Sequence, residues 1–366
     1  MQYSTFAAID IGSYDVILEI FEISKKQGIR SVDKICHRME LGKDTYTLGK
    51  IRPEMEEELC RVLADFVRIM EDYRVDDYRA TASSAISEAS NSLYVLGKIH
   101  QLTGLSVTVL SNSEQRFLSY KALAAMEDNF NKIIEKGTAI LDLDGGSFQI
   151  SLFDKDALVT TQNIRMGSLR IRERLAGIQS ETEHYEEMVE ELIWNEVSSF
   201  KKMYLKDRKI ENIMLIGDVF TDSVYQNIEE KTTKIISREN FNTWYEKIIR
   251  QSPMELAVKL GIPLENASLM YPSAVIYKCL IDMMGAEHIW IPGVHMTRGI
   301  AYEYAEQMKL LKGGHNFEND ILMAAKNIGK RYAVNRPHVQ NLEMTALAMF
   351  DATKKMHGMK ERERLL

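Results

Sequence analysis

The sequence predicts an α/β protein made of two related halves that face one ligand, with an all-helical segment after them. Three observations carry this expectation. An apolar strand runs through Leu141-Asp142-Leu143-Asp144-Gly145-Gly146-Ser147-Phe148-Gln149-Ile150, entering an acidic turn with two glycines and leaving as a second strand. A near-copy, Phe6-Ala7-Ala8-Ile9-Asp10-Ile11-Gly12-Ser13 followed by Val16 to Ile23, lies about one domain earlier. Beyond Lys312-Gly313-Gly314-His315, read as a flexible joint, the apolar positions recur at helical spacing. Paired glycines let the backbone approach a ligand with its N–H groups turned inward, and Asp142 at a strand end can hold a metal ion or its water. Taken alone, the stretch reads equally well as an ordinary hairpin with an Asp-Gly turn.

Composition bounds the function. A chain of 366 residues accommodates two or three domains with sizeable cores. An apolar fraction of 45% and a charged fraction of 27% are those of a soluble globular protein, and no apolar run is long enough to span a bilayer. With no basic segment followed by an apolar one at the N-terminus, the expected location is the cytoplasm. The net charge of −7 argues against a general nucleic-acid binder, which neutralises phosphates with a basic surface. Cys36, Cys60 and Cys279 lack CxxC spacing, so neither a disulfide framework nor a zinc site is suggested. The 20 methionines read as soft core filler.

Each element follows in order. After the opening strand pair, Gly28 to Met39 reads as a third strand and Glu40-Leu41-Gly42-Lys43-Asp44 as a polar turn. From Pro53 the residues Leu59, Val62, Leu63, Phe66, Val67 and Met70 recur at three and four, which predicts a helix packed on the sheet with proline in its first turn. Tyr78 to Ala82 is a short strand running into Ser83-Ser84-Ala85-Ile86-Ser87-Glu88-Ala89, either an anion site or a plainly capped helix. The strand Leu105 to Leu110 ends at Ser111-Asn112-Ser113-Glu114-Gln115. Glu114 thus lies in a first helical turn at the carboxyl end of a strand, where open α/β sheets place ligand groups. A capping-box partner is the competing reading.

The second half repeats the pattern. Strands are expected at Thr138 to Asp142, Ser147 to Phe153 and Ala157 to Ile164. Arg165, Arg170, Arg172 and Arg174 then open a helix, and Arg165 or Arg170 suits bidentate phosphate recognition. A charged helix around Glu181 to Lys202, a buried strand Asn212 to Ile216, and helices around one strand, His288 to Ile291, complete it. Helices at Phe317 to Tyr332 and Pro337 to His357 follow. Apolar positions remain in step up to Leu365-Leu366, so the sequence reads as cut inside a helical domain.

In this order the motifs resemble the exopolyphosphatase and guanosine pentaphosphate phosphohydrolase family of the actin and sugar-kinase superfold. The first phosphate loop, IDIGSNS, resembles Ile9-Asp10-Ile11-Gly12-Ser13, and the DxGGGSTE loop resembles Asp142-Leu143-Asp144-Gly145-Gly146-Ser147. The RLG segment is matched at Leu41-Gly42 and the ATSALREAxN junction at Ser84-Ala85-Ile86 and Glu88-Ala89-Ser90-Asn91. MGxxRLTER is similar to Met166 to Arg174, and SGxEEA places the catalytic glutamate at Glu114. The resemblance implies two RNase-H-like domains around a cleft, residues 1–125 and 126–312, with a helix near 298–311 packing back on the first. It implies that residues 313–366 begin a helical HD-like domain, with His338 either a remnant of its histidine set or a surface residue. It further implies Glu114 as the water-activating base, Mg2+ organised by Asp142 and Asp10 with Asp144 near, and phosphate held by Gly12, Ser13, Gly145, Gly146, Ser147 and Arg170. The implied ligand is polyphosphate or a guanosine polyphosphate, without nucleic acid or membrane, in a chain that pairs as a homodimer.

Departures fall on the chemistry. Gln149 replaces a carboxylate, Asp144 the first glycine of the second loop, and Tyr14-Asp15 the Asn-Ser of the first. Ser87 replaces an arginine, Asn266-Ala267-Ser268 stands at the RAD segment, and a later GxGGT loop survives as Gly217 and Thr221. An active hydrolase is the leading expectation. A turnover-deficient sensor of the same ligands and a partner-binding module are the alternatives.

Overall fold

The computed structural model describes residues 3–126, 130–155, 157–176, 185–227, 235–311, 315, 317–359 and 364. Two mixed sheets organise the chain. The first contains β1 (Ser4–Ile11), β2 (Asp15–Ser24), β3 (Gly28–Arg38), β4 (Asp77–Ala82) and β5 (Val107–Val109) in the order β3-β2-β1-β4-β5. The second contains β6 (Thr138–Leu143), β7 (Phe148–Asp154), β8 (Ala157–Ile164), β9 (Asn212–Ile216), β10 (Ile235–Ser237) and β11 (His288–Trp290) in the order β10-β11-β9-β6-β7-β8. Three antiparallel strands in each are followed by parallel ones: β1 pairs with β4 as β6 pairs with β9. The sequence echo between Asp10 and Asp142 is therefore a topological one.

The apolar runs in β1 and β6 have a simple cause. A strand covered on both faces needs no polar alternation. Ala7, Ile9 and Ile11 point into one core with Leu59, Leu63 and Phe66, while Phe6 and Ala8 point the other way, against Leu118, Ile300 and Tyr304. In β6, Ala139, Leu141 and Leu143 share a core with Val189 and Val197, and Ile140 faces Tyr120 and Phe153. The helix Pro53–Asp72 starts on its proline and buries Leu59, Val62, Leu63, Phe66 and Met70, as its periodicity requires.

Some local expectations need correction. The segment read as a polar turn is the helix Leu41–Leu48, which ends on Gly49 at φ 70°. Propensity disfavours it, but Leu41, Gly42, Asp44 and Thr45 are buried, and Asp44 accepts from the Arg52 backbone N–H and Nε at 2.9 Å each. Packing therefore selects the helix. The strand expected from Leu105 to Leu110 contracts to β5, and the region after 235 holds two short strands rather than one. The charged helix is described over Tyr185–Phe200; its expected start at 181–184 and the joint at 312–314 lie outside the described residues.

The helix Met296–Gln307 returns to the first sheet and crosses the helix Asn112–Met126 at close range. A Cβ built on Gly299 would lie 2.0 Å from the Leu118 carbonyl oxygen, so only glycine permits the crossing. The helix Phe317–Arg331 lies along β8, where Asn327 Nδ2 donates to the Leu158 and Val159 carbonyls at 3.3 Å each. The helix Arg336–His357 buries none of its residues, and His338 is exposed in its first turn. Among the described residues no helix is long and apolar enough to cross a membrane. Gly299→Ala is expected to destabilise the protein by about 1–3 kcal/mol through overpacking, read from the midpoint of urea unfolding at constant slope. An unchanged midpoint would mean that the crossing tolerates a methyl group.

Candidate active site

Two hairpin tips meet between the sheets. Asp10 occupies the next-to-last position of β1 and Asp142 that of β6, so equivalent strand geometry delivers both carboxylates to the same place. They line a cavity of about 420 Å³ together with Asp15, Asp144, Asp218 and Asp222. Gly12 and Gly145 also line it, with Gln115, Ser119 and Ser168. Lys34, Arg38 and His295 are the basic residues in the lining.

The carboxylates are crowded and poorly solvated. Burial, followed by the charges of Asp15, Asp144 and Asp142, pushes Asp10 well above the ordinary carboxylate range, and its Oδ1 is sealed from solvent with no hydrogen-bond partner among the described residues. Asp142 is pushed up to about 6 by burial, opposed by the Ser119 hydroxyl that donates to its Oδ2 at 2.6 Å. Asp144 rises to about 7 for the same reason, although the Gly145 N–H donates to its Oδ1 at 2.6 Å. Asp218 also reaches about 7 through burial; its Oδ1 accepts from the Thr221 N–H at 3.0 Å and from Tyr277 at 3.3 Å. A buried Asp with an orphaned oxygen beside further carboxylates suits a divalent cation. Among the described residues, however, no three His, Cys, Asp or Glu side chains come together closely enough to hold one unaided. Mg2+ commonly takes one or two protein carboxylates and fills its octahedron with water and phosphate, which fits this arrangement.

The donors expected to hold phosphate are engaged with the protein itself. Ser13 Oγ lies 2.7 Å from the Tyr46 hydroxyl and 3.2 Å from Ser84 Oγ, and donates to Asp144 Oδ2 at 3.5 Å. The Gly145 N–H is held by Asp144, and the Gly12 N–H donates to the Asp15 carbonyl at 2.9 Å. Close approach explains the glycines: a Cβ on Gly145 would lie 3.2 Å from Ser13 Cβ, and one on Gly146 would lie 2.0 Å from the Tyr46 hydroxyl. Ser147 is buried and its carbonyl closes the loop by accepting from the Asp144 N–H. Arg170 Nε donates to the Gly146 carbonyl at 2.8 Å, its Nη2 to Glu88 at 2.9 Å, and its guanidinium stacks 3.8 Å from the Tyr46 ring centroid. Arg165 also pairs with Glu88, at 2.6 Å. Asp10, Asp142, Asp144, Gly12 and Gly145 thus share the cavity wall, whereas Ser13, Gly146 and Arg170 are gathered behind it.

Glu114 is placed differently. Its carboxylate accepts from the Ser111 N–H at 2.8 Å and Ser111 Oγ at 2.7 Å, while its own N–H donates to Ser111 Oγ at 3.3 Å. This reciprocal cap makes Glu114 the N-terminal partner of its own helix, beside the cavity residue Gln115. Gln149 pairs across the hairpin with Asp142, and its Oε1 accepts from Arg116 at 3.5 Å. Residues that sequence reasoning missed are Tyr46, Ser119 and Tyr277. Tyr46 lies just past the Glu40–Asp44 segment read as a turn, in the helix that was not expected, and no local pattern marks the other two.

Comparison with known proteins places the chain. The Ppx/GppA phosphatase family model matches residues 19–308. A bifunctional 3-dehydroquinate synthase/phosphatase from Fusobacterium nucleatum is 21% identical over 77% of this chain and 44% of its own length. A guanosine-5'-triphosphate,3'-diphosphate pyrophosphatase from Photobacterium profundum is 19% identical over 94% of this chain and 66% of its own. The chain therefore spans less than two thirds of the length of these relatives. Among solved structures, an exopolyphosphatase from Cytophaga hutchinsonii superposes with a TM-score of 0.74 at 17% identity, covering 83% of this chain and 98% of that one. The Aquifex aeolicus Ppx/GppA family member gives 0.68, also at 17% identity, over 84% and 99%. With the family model covering most of its length and the same fold in both solved relatives, the chain belongs to the Ppx/GppA phosphatase family.

Proposed function

We propose that the protein is a phosphoanhydride hydrolase that releases terminal phosphate in the cavity between the two hairpin tips. The observation that supports this most directly is the convergence of Asp10 and Asp142 from equivalent strand ends on one cavity also lined by Gly12 and Gly145. The names of the relatives, an exopolyphosphatase and a guanosine-5'-triphosphate,3'-diphosphate pyrophosphatase, support a polyphosphate or a guanosine polyphosphate as the substrate class.

Phosphoryl transfer asks the protein for position and charge more than for covalent chemistry. A divalent cation, Mg2+ in this proposal, would supply charge neutralisation for the phosphate oxygens when held by Asp10 and Asp142. Ser119 orients Asp142 by donating to one of its oxygens, which leaves the other for the cation or its water. Asp144 blocks the Gly145 N–H and must give it up, or bond the phosphate while protonated, before the second loop can cradle an anion. Glu114 serves as the base in this reading. It has to exchange its cap at Ser111 for the attacking water. Asp144 is the second candidate, because it already faces the cavity and a carboxylate near 7 is matched to proton abstraction at neutral pH.

The two assignments separate in steady-state phosphate release from tripolyphosphate with Mg2+. If Glu114 is the base, Glu114→Gln is expected to lower kcat by about two powers of ten or more. Should Asp144→Asn cause that loss while Glu114→Gln does not, the role passes to Asp144. No phosphate release by the wild type under these conditions would sink the hydrolase reading.

The crowded carboxylates also predict a dependence of stability on pH. A carboxylate whose folded-state pKa is raised from about 4 to 6 or 7 binds more protons folded than unfolded across that interval. Stability is then lost as pH rises from about 4 to about 7. Asp144→Asn is expected to raise unfolding free energy at pH 8 by on the order of 2 kcal/mol and to change it little at pH 4. Urea unfolding at both values measures this. Added Mg2+ is expected to raise the thermal midpoint at pH 8 in the wild type and not in Asp142→Asn. Equal gains in both proteins would remove Asp142 from the cation site.

A further inference from the structure

One wall of the cavity between the hairpin tips is the ribbon formed by β2 and β3. In it Asp15 pairs with Arg38, Ile17 with Cys36 and Glu19 with Lys34. Paired residues share a face and side chains alternate along a strand. Lys34, Cys36 and Arg38 therefore point to one side, while Ile35 packs into the core of the first half and His37 meets Glu58 on the other. Asp15, Ile17, Lys34, Cys36 and Arg38 all line the cavity. Lys34 and Arg38 stand about 13 Å apart along the strand, so they offer positive charge along a line rather than at a point.

Within the lining, these two cations are left uncommitted. Neither Lys34 nor Arg38 has an ion pair or a side-chain hydrogen bond among the described residues. Asp15, the acid opposite Arg38, has its Oδ2 held by the Cys36 thiol at 3.4 Å. The arginines of the second half are spent on the protein itself: Arg165 and Arg170 on Glu88, Arg172 on Glu40 and Glu173. His295, the other basic residue of the lining, lies 3.4 Å from Asp222. Burial separates the groups further. Asp10, Asp142 and Asp144 are half-buried, whereas Lys34 and Arg38 are exposed, so the cations stand where the cavity meets solvent. The lining thus runs from carboxylates suited to a metal ion to unpaired cations at the rim.

Resting on the hydrolase reading above, we propose that Lys34 and Arg38 hold the phosphoryl groups behind the one that is released. The terminal group is directed inward to the cation at Asp10 and Asp142, and the departing run lies outward along β3. Each further phosphoryl group brings negative charge, which the exposed ammonium and guanidinium meet. Arg170, paired with Glu88, is not free for that task. The contacts fall on groups remote from the breaking bond, so the two residues act on affinity more than on turnover.

The test measures calorimetric binding of tripolyphosphate and steady-state phosphate release from it, at fixed free Mg2+. The proteins are the wild type, Lys34→Gln, Arg38→Gln and a control, Lys26→Gln, which removes an exposed charge from the turn of the same ribbon. Loss of either cavity cation is expected to raise Kd and KM by about tenfold and to leave kcat within about twofold. Lys26→Gln is expected to change none of these by more than about twofold. Unchanged binding in either cavity variant overturns the subsite. Equal weakening by Lys26→Gln overturns it as well, because that marks a diffuse attraction. So does a kcat loss of about tenfold or more at unchanged Kd, which places the residue at the breaking bond. The wild type alone decides if a variant does not fold: it is expected to bind tripolyphosphate at least about tenfold more tightly than orthophosphate, and equal affinity overturns the proposal. The expected binding losses with no phosphate release by the wild type sustain the subsite while rejecting the hydrolase. Release with an unchanged KM in both cavity variants does the reverse, and failure of the wild type to bind tripolyphosphate rejects both.

Discussion

The architecture depends on the close contact of two hairpin tips. Glycine is required at Gly146, where an ideal Cβ would lie 2.0 Å from the Tyr46 hydroxyl, and at Gly167, where it would lie 2.2 Å from the Asp144 carbonyl oxygen; at Gly145 a Cβ would sit tightly, 3.2 Å from Ser13 Cβ. Around this seam the two sheets are joined by directional bonds. Tyr14 donates to Asn266 at 2.6 Å, Arg172 to Glu40 at 2.8 Å, and Arg170 to Glu88 at 2.9 Å. Each half supplies one partner, so the site exists only while the halves are held together.

That contact concentrates negative charge. Asp10 and Asp142 arrive at strand ends because β1 and β6 hold equivalent places in their sheets, and Asp15 and Asp144 come with the loops. All four are half-buried in the cavity wall, and the burial raises their proton affinity. The consequence is a site of high proton affinity with an orphaned oxygen at Asp10, an environment that favours cations and resists bare anions. Lys34 and Arg38 are the fixed cations in the lining, against six aspartates. Asp15 and Asp144 add two carboxylates to that lining.

Much of the fold was legible because its signals are local. Apolar strands ending in Asp and Gly, the three-and-four spacing from Leu59 to Met70, and the proline at the head of that helix all act within a few residues. The helix Leu41–Leu48 was illegible because its residues are weak helix formers and its stabilising contacts come from Ala85, Arg52 and Ser13, distant in sequence or beyond its end. Misreading it hid Tyr46. The short strand β10 was missed because three residues give no usable period.

At the site, the sequence by itself determined the carboxylates, the glycines and the family motif order, since backbone freedom and charge belong to residue types. It also placed Glu114 in a first helical turn. Tertiary structure alone decided how these groups are spent. Glu114 caps its helix, Asp144 fills the Gly145 N–H, Arg170 stacks on Tyr46 and pairs with Glu88, and Ser119 holds Asp142. Each of the last three bonds joins residues remote in sequence, and a hydrogen bond depends on distance and angle in space. Residue identity fixes what a group can donate or accept, and packing fixes the partner it finds.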